Sequence, residues 1–157
     1  MKTKNNILVL LTLLTFLSSC DKNQVEAEKS LVGNWKVVEI VTQYGEYIDN
    51  SFVEASSVTE TGSLGTFDFG KNMLSYDFIA DGTQLSKETT WLLDYNKVNS
   101  GFVKVPFYTL KIGDEFSFQV QFDDSTINSQ KNASKAIFIQ IPKVGDTEVF
   151  ILTLEKE

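Results

Sequence analysis

Strict apolar–polar alternation, turn residues at even intervals and the lack of any long helical period together predict an all-β fold. The expected arrangement is an antiparallel up-and-down meander of about eight to nine strands. The alternation is plainest in Phe116-Ser117-Phe118-Gln119-Val120-Gln121-Phe122, where every apolar side chain falls on one face and every polar one on the other. The turn residues are Gly70-Lys71-Asn72, Asp81-Gly82, Gly113-Asp114-Glu115 and Gly145-Asp146. A meander leaves two exposed edges unless the sheet closes on itself, so a barrel is expected, with a two-sheet sandwich as the alternative.

At the amino end, Lys2 and Lys4 precede an apolar run from Ile7 to Leu17, and Leu17-Ser18-Ser19-Cys20 follows. Positive residues, a short apolar stretch and small residues before a cysteine form the pattern of a bacterial lipoprotein signal. The run falls well short of the ~20 residues a membrane-spanning helix needs, so it reads as cleaved. Residues 1–19 are then the signal peptide and Cys20 the lipidated new terminus. Each buried methylene of an acyl chain such as palmitate contributes ~0.8 kcal/mol to anchoring. Cys20 is the only cysteine, which leaves nothing for it to pair with. Residues 20–30 carry Asp21, Lys22, Glu26, Glu28 and Lys29 and read as a solvated tether, of which Val25 to Leu31 can tighten into a helical turn. Residues 31–157 form the barrel domain.

Within that domain, Trp35 and Val37 share one face while Val38 and Ile40 share the other, which predicts a β-bulge or sharp bend near Val37. Gln43 to Gly65 is compatible with a long loop or with an extra hairpin. Thr66 to Phe69 and Leu74 to Phe78 form a hairpin around Gly70, and Asp81-Gly82 leads into Leu85 to Tyr95. Phe102 to Ile112 is joined tightly to the Phe116 strand. Pro106 cannot donate to a ladder, so its strand is expected to bulge or lie at an edge there. Ala136 to Ile141 and Glu148 to Leu154 make the last hairpin.

Composition narrows the chemistry. Loss of the signal removes Lys2 and Lys4 and no acid, taking the formal charge from −7 to −9. Such a chain repels phosphate backbones and anionic lipid heads, so neither nucleic-acid binding nor a polybasic membrane patch is expected. The fourteen basic residues are all lysines and histidine is absent. Imidazole-based catalysis, histidine-held zinc and guanidinium clamps are thereby excluded. Adjacent acids at Asp114-Glu115 and Asp123-Asp124 sit in turns and read as solvated charge, since neighbours along a strand point apart and no calcium-loop pattern is present. Asp124-Ser125-Thr126 is similar to a bacterial O-glycosylation acceptor, and Asn132-Ala133-Ser134 fits the eukaryotic N-glycan sequon. Neither an enzyme nor a cofactor or metal site is expected.

The stretch Leu31-Val32-Gly33-Asn34-Trp35-Lys36-Val37 resembles the Gly-x-Trp opening of lipocalins and of bacterial lipocalin-like lipoproteins. That resemblance implies a calycin-type barrel in which Trp35 starts the first strand and plugs the closed end, with Gly33 permitting close backbone approach. Lipocalins usually cover this tryptophan with a late arginine. Here Lys156 is the only late residue for that place, and a lysine stacks on an indole less well than a guanidinium.

A closed barrel would turn Trp35, Phe67, Phe69, Tyr76, Phe78, Trp91, Leu93, Tyr95, Phe118, Val120, Phe150, Leu152 and Leu154 inward. Of these, Phe67, Phe69, Tyr76, Phe78, Trp91, Tyr95, Phe118 and Phe150 are the candidate lining of a ligand cavity. An eight-stranded barrel is just wide enough to be filled by side chains or to hold one small ligand, so so many rings favour a filled interior as much as a pocket. The expected function is an envelope lipoprotein binding a small apolar molecule. The alternative is a non-enzymatic surface or structural module whose outer face or Gln43–Gly65 segment contacts a protein or glycan. The expected address is the cell envelope, with the outer membrane as first choice and the domain facing the periplasm or exterior. Asp21 resembles the inner-membrane retention signal of some enteric bacteria, which keeps the other bilayer in play.

Overall fold

The computed structural model describes residues 22–100, 103–123 and 133–157. Cys20 with the signal segment, and the Asp124-Ser125-Thr126 acceptor, lie outside the described residues. Among the described residues one helix, α1 (Lys22–Leu31), precedes eight strands: β1 (Gly33–Ile48), β2 (Ser51–Phe69), β3 (Met73–Ala80), β4 (Thr83–Ser100), β5 (Val103–Ile112), β6 (Phe116–Phe122), β7 (Lys135–Gln140) and β8 (Glu148–Lys156). Each strand pairs antiparallel with the next, and β8 returns to pair with β1, so the sheet closes into a barrel. Closure removes the edges a meander would expose. The sandwich alternative is not what forms.

The strand directions define two ends. Trp35, the β2–β3 turn and the carboxyl end of β8 lie at one, the closed end; the β3–β4, β5–β6 and β7–β8 turns lie at the other, the open end. Alternation is regular where one face is wet: β3 runs exposed, buried, exposed along its whole length, with Leu74, Tyr76, Phe78 and Ala80 inward.

The bend expected near Val37 is a bulge. Register shifts between Val37 and Glu39 against both β2 and β8, leaving Val38 without a partner and resetting which side chains face in. Residues Gln43 to Gly65 are not a loop: they continue the β1–β2 ladder to Ile48 opposite Ser51, with Asp49 and Asn50 both at positive φ in the turn. Two successive left-handed residues are what a tight hairpin of matching twist needs, and Asp and Asn tolerate them. Pro106 lies in the part of β5 that precedes its pairing with β6 at Tyr108, and its register with β4 is unbroken. It occupies an edge, with no bulge; Val105 simply faces outward.

The reading of residues 20–30 as a solvated tether needs correction. From Lys22 onward the segment is helix, and Ala27, Ser30 and Leu31 are fully buried against the barrel. Their three- and four-residue spacing puts them on one face, a stripe too narrow to register in so polar a sequence. The position of α1 follows from a stagger in the sheet. β4 pairs with β3 through Thr83–Thr90 and with β5 through Trp91–Ser100, so beyond Thr90 its β3-side edge has no strand partner among the described residues. α1 covers the start of that edge: Gln24 Nε2 donates to the Leu93 carbonyl at 2.8 Å and Asn23 Nδ2 to the Tyr95 hydroxyl at 2.9 Å.

Candidate functional site

The closed end is built on Trp35. It is fully buried, and its indole N–H donates to the Leu31 carbonyl at 2.6 Å, tying the first strand to the last turn of α1. Lys156, directly opposite Trp35 in the β1–β8 ladder, holds its ammonium 5.2 Å from the indole centroid and donates to the Ser30 carbonyl at 2.7 Å. Burial holds the Lys156 pKa below the ordinary lysine value. Gly33 has φ of 119°, a region that side chains avoid, and an added Cβ would lie 3.4 Å from Lys156 Cε. The three residues named from the sequence are therefore in mutual reach, and they seal this end.

Above the seal the interior is a continuous stack of rings. Phe67 contacts Phe69, Tyr76, Phe78 and Phe138 at centroid distances of 5.4 to 6.1 Å. Phe118 packs on Phe138 at 5.9 Å, and Phe78 reaches Phe150 at 6.4 Å. Phe67, Phe69, Phe78, Phe118 and Phe138 are all at most 1% exposed, so this part of the barrel is filled. Phe138 was not among the residues expected inside, because Ile137-Phe138-Ile139 is apolar on both faces and its parity is ambiguous.

At the open end a hollow of about 370 Å³ remains. Its apolar wall is Ala80, Leu85, Phe116 and Phe150; Asp81, Glu115, Gln140, Asp146 and Glu148 supply the polar part. Of the eight candidate lining residues, Phe150 borders it. Phe67, Phe69, Tyr76, Phe78 and Phe118 lie deeper, among one another. Trp91 and Tyr95 are elsewhere, because β4 has passed the end of β3 before it reaches them. Trp91 packs edge-on to Phe69 at 5.3 Å with its N–H on the Gly70 carbonyl, at the closed end, and Tyr95 packs at a tilt against Tyr108, ring centroids 5.2 Å apart.

The walls of the hollow are fixed by long-range polar contacts. Glu115 is not a merely solvated turn acid: it accepts from the Tyr76 hydroxyl at 2.9 Å and pairs with the Lys87 ammonium. The bond from Lys87, then that from Tyr76, holds its carboxyl below the usual carboxylate range. Tyr76 in turn is pushed up to about 12, first by burial and then by the Glu115 bond. Lys143 donates to the Asp114 and Glu115 carbonyls at 3.0 and 2.9 Å, clasping the β7–β8 loop to the β5–β6 turn. Phe150 is held by its N–H on Gln140 Oε1 at 3.0 Å. Tyr44 donates to Asp81, which pushes its pKa up to about 12. Sequence reasoning missed Glu115, Lys87 and Gln140 because their partners are between ten and thirty-nine residues away and no local pattern announces them.

Chemically the site is a small apolar recess with a carboxylate rim. Among the described residues no three acids gather in a geometry that could hold a metal ion. Comparison of the chain with family models, with curated proteins and with solved structures gives no match.

Proposed function

We propose that the chain is a lipid-anchored envelope protein with a lipocalin-like domain, acylated at Cys20, and that it holds a small apolar molecule in the hollow at its open end. The observation that carries this reading is the hollow itself: a recess of about 370 Å³, floored by Leu85, Phe116 and Phe150, in a barrel sealed at the other end by Trp35. Ligand sites run from ~300 to ~1,000 Å³, so the volume suits a molecule of modest size. The filled interior beneath it keeps the ligand shallow. Asp81, Glu115, Asp146 and Glu148 around the rim disfavour an anionic head such as a fatty-acid carboxylate. A neutral lipid fragment, a sterol-like molecule or an aromatic one fits this chemistry, and with no imidazole or guanidinium in the chain the role is binding rather than turnover.

The test is a titration with N-phenyl-1-naphthylamine, a neutral apolar dye that brightens on leaving water. Wild-type protein should enhance its emission, and Leu85→Trp, which fills the recess, should abolish the enhancement. Equal enhancement by both proteins contradicts the site.

A second reading is favoured by one feature, the far part of the β1–β2 hairpin. Ile48, Val53 and Val58 are exposed there, with Tyr47 and Phe52 opposite each other in the ladder. A protein or glycan seated on this hairpin would make the chain a contact module. Protection of Tyr47 and Phe52 from solvent labelling by a bound partner, with no dye binding, supports this alternative over the first.

A further inference from the structure

We infer that the hollow at the open end selects a cationic occupant, an apolar or aromatic body that carries a protonated amine; the inference rests on the binding reading above and names the class of its ligand. The site is the recess itself, and the carboxylates around it decide which occupant it favours. Asp81, Glu115, Asp146 and Glu148 border it, and among the described residues no lysine does. Lys87 pairs with one oxygen of Glu115 while the Tyr76 hydroxyl bonds the other, so that acid is already matched. Lys143 lies close by, its ammonium on the Asp114 and Glu115 carbonyls. Four lining acids against these two lysines still leave the mouth net negative. Two of the acids stand together: Tyr44 lies opposite Glu148 in the β1–β8 ladder and donates its hydroxyl to Asp81, so both carboxylates flank one ring. Glu60 adds a third, accepting from the Asp81 N–H at 2.8 Å. The Tyr44 pKa registers this grouping, raised first by the Asp81 bond, then by desolvation, with the charges of Asp81, Glu148 and Glu60 adding to it. Asp146 is fixed in the β7–β8 loop by the Lys143 N–H at 2.7 Å.

The floor and the mouth then ask for different halves of one molecule. Phe116 and Phe150 meet edge-on at 6.5 Å and, with Leu85, offer an apolar surface to a ring or short chain. Phenyl faces also attract an ammonium. A body seated there displaces water from the carboxylates at the mouth. A neutral molecule returns nothing for that lost hydration, whereas an ammonium donates up to three charge-assisted hydrogen bonds to the same oxygens. An anion is repelled outright. Charge thus ranks the apolar molecules that the volume admits: the amine first, the neutral analogue next and the carboxylate last. At a mouth that stays partly wet, the amine should exceed its neutral analogue by about tenfold in affinity.

The experiment is equilibrium dialysis of the full chain, extracted from its own membrane in mild detergent, against naphthylmethylamine, naphthylmethanol and naphthoate at neutral pH. A chamber of detergent alone gives the partition to be subtracted. The three probes share one ring system and differ in charge. Wild-type protein should hold the amine about tenfold more tightly than the alcohol and the carboxylate least, and Leu85→Trp should lose the amine. Glu148 is exposed, and Glu148→Gln, which removes a charge without disturbing the core, should narrow the amine-over-alcohol ratio at least about twofold; added salt should narrow it too. Equal affinities for amine and alcohol, or an unaltered ratio in Glu148→Gln, overturn the inference and leave the binding reading standing, provided that the naphthylamine dye still binds. Amine binding that survives Leu85→Trp is adsorption to an acidic surface and overturns the inference as well. Failure of the dye and of all three probes to bind overturns the binding reading and the inference with it.

Discussion

Lys156 stands over Trp35, its ammonium 5.2 Å from the indole centroid, and so the last strand of the barrel caps the first residue pair of the β1–β8 seam. The same ammonium binds the Ser30 carbonyl, which makes a single side chain the junction of β8, β1 and α1. A cation over a desolvated indole contributes up to ~2 kcal/mol, and a charged hydrogen bond of this kind ~1.5 to 3. Lys156→Met should lower unfolding free energy by about 2 kcal/mol in urea titration, whereas Lys156→Arg should retain it. Equal stability of all three proteins contradicts the capping role.

Trp35 itself should be less replaceable. Its full burial and its bond to the Leu31 carbonyl mean that Trp35→Ala leaves both a cavity and an unsatisfied acceptor. The expected loss is ~3 to 5 kcal/mol, read as a shift of the urea midpoint at constant slope. Phe67→Ala, in the middle of the ring stack, belongs in the same range. Phe116→Ala, half-buried at the mouth, should stay below ~2 kcal/mol and act on dye binding instead.

Gly65 is fixed by close approach rather than by packing. A Cβ there would lie 2.1 Å from the Asp77 carbonyl oxygen and 2.4 Å from Phe78 Cα, with φ at 145°. Backbone atoms of β3 cannot give way without breaking the β2–β3 ladder. Gly65→Ala should therefore cost more than ~3 kcal/mol or prevent soluble expression, which a thermal melt of the purified variant will show.

The open end titrates. Glu115 has its folded pKa lowered from 4.5, so its contribution is present above that value and is lost as pH falls through the folded pKa. Tyr76 is raised from 10.0 to about 12, so its contribution is full below pH 10 and disappears as pH rises toward 12. Tyr44 follows the same sign and the same window. Unfolding free energy measured against pH should decline on both flanks, and Tyr76→Phe should flatten the alkaline flank. An unchanged alkaline decline in Tyr76→Phe removes Tyr76 as its source.

Legibility in the sequence followed local physics. The β-strand alternation, the hairpin turns and the bulge at Val38 depend on spacing and were readable, whereas the Gly33–Trp35–Lys156 seal was expected only from the resemblance of residues 31–37 to the lipocalin opening. The length of the β1–β2 hairpin was not, because two register shifts, after Val37 and after Tyr44, reset the alternation within one strand pair, and much of β2 is exposed on both faces. α1 was legible only in part, as the helical turn over Val25 to Leu31; that it docks on the barrel was hidden by polarity, since the buried stripe of Ala27, Ser30 and Leu31 is so narrow. The open-end recess was mislocated because the stagger of β4 between β3 and β5 decides where Trp91 and Tyr95 fall, and stagger leaves no mark on composition. Glu115 needed partners from β3 and β4 that only closure brings together.

Native mass spectrometry of the protein taken from its own membrane in mild detergent addresses the ligand most directly. The expected spectrum shows the acylated chain beginning at Cys20 together with one additional small molecule, released on activation and missing from Leu85→Trp prepared in the same way. A spectrum of the acylated chain alone, identical for wild type and Leu85→Trp, would show that the recess carries no cargo and would contradict the binding role.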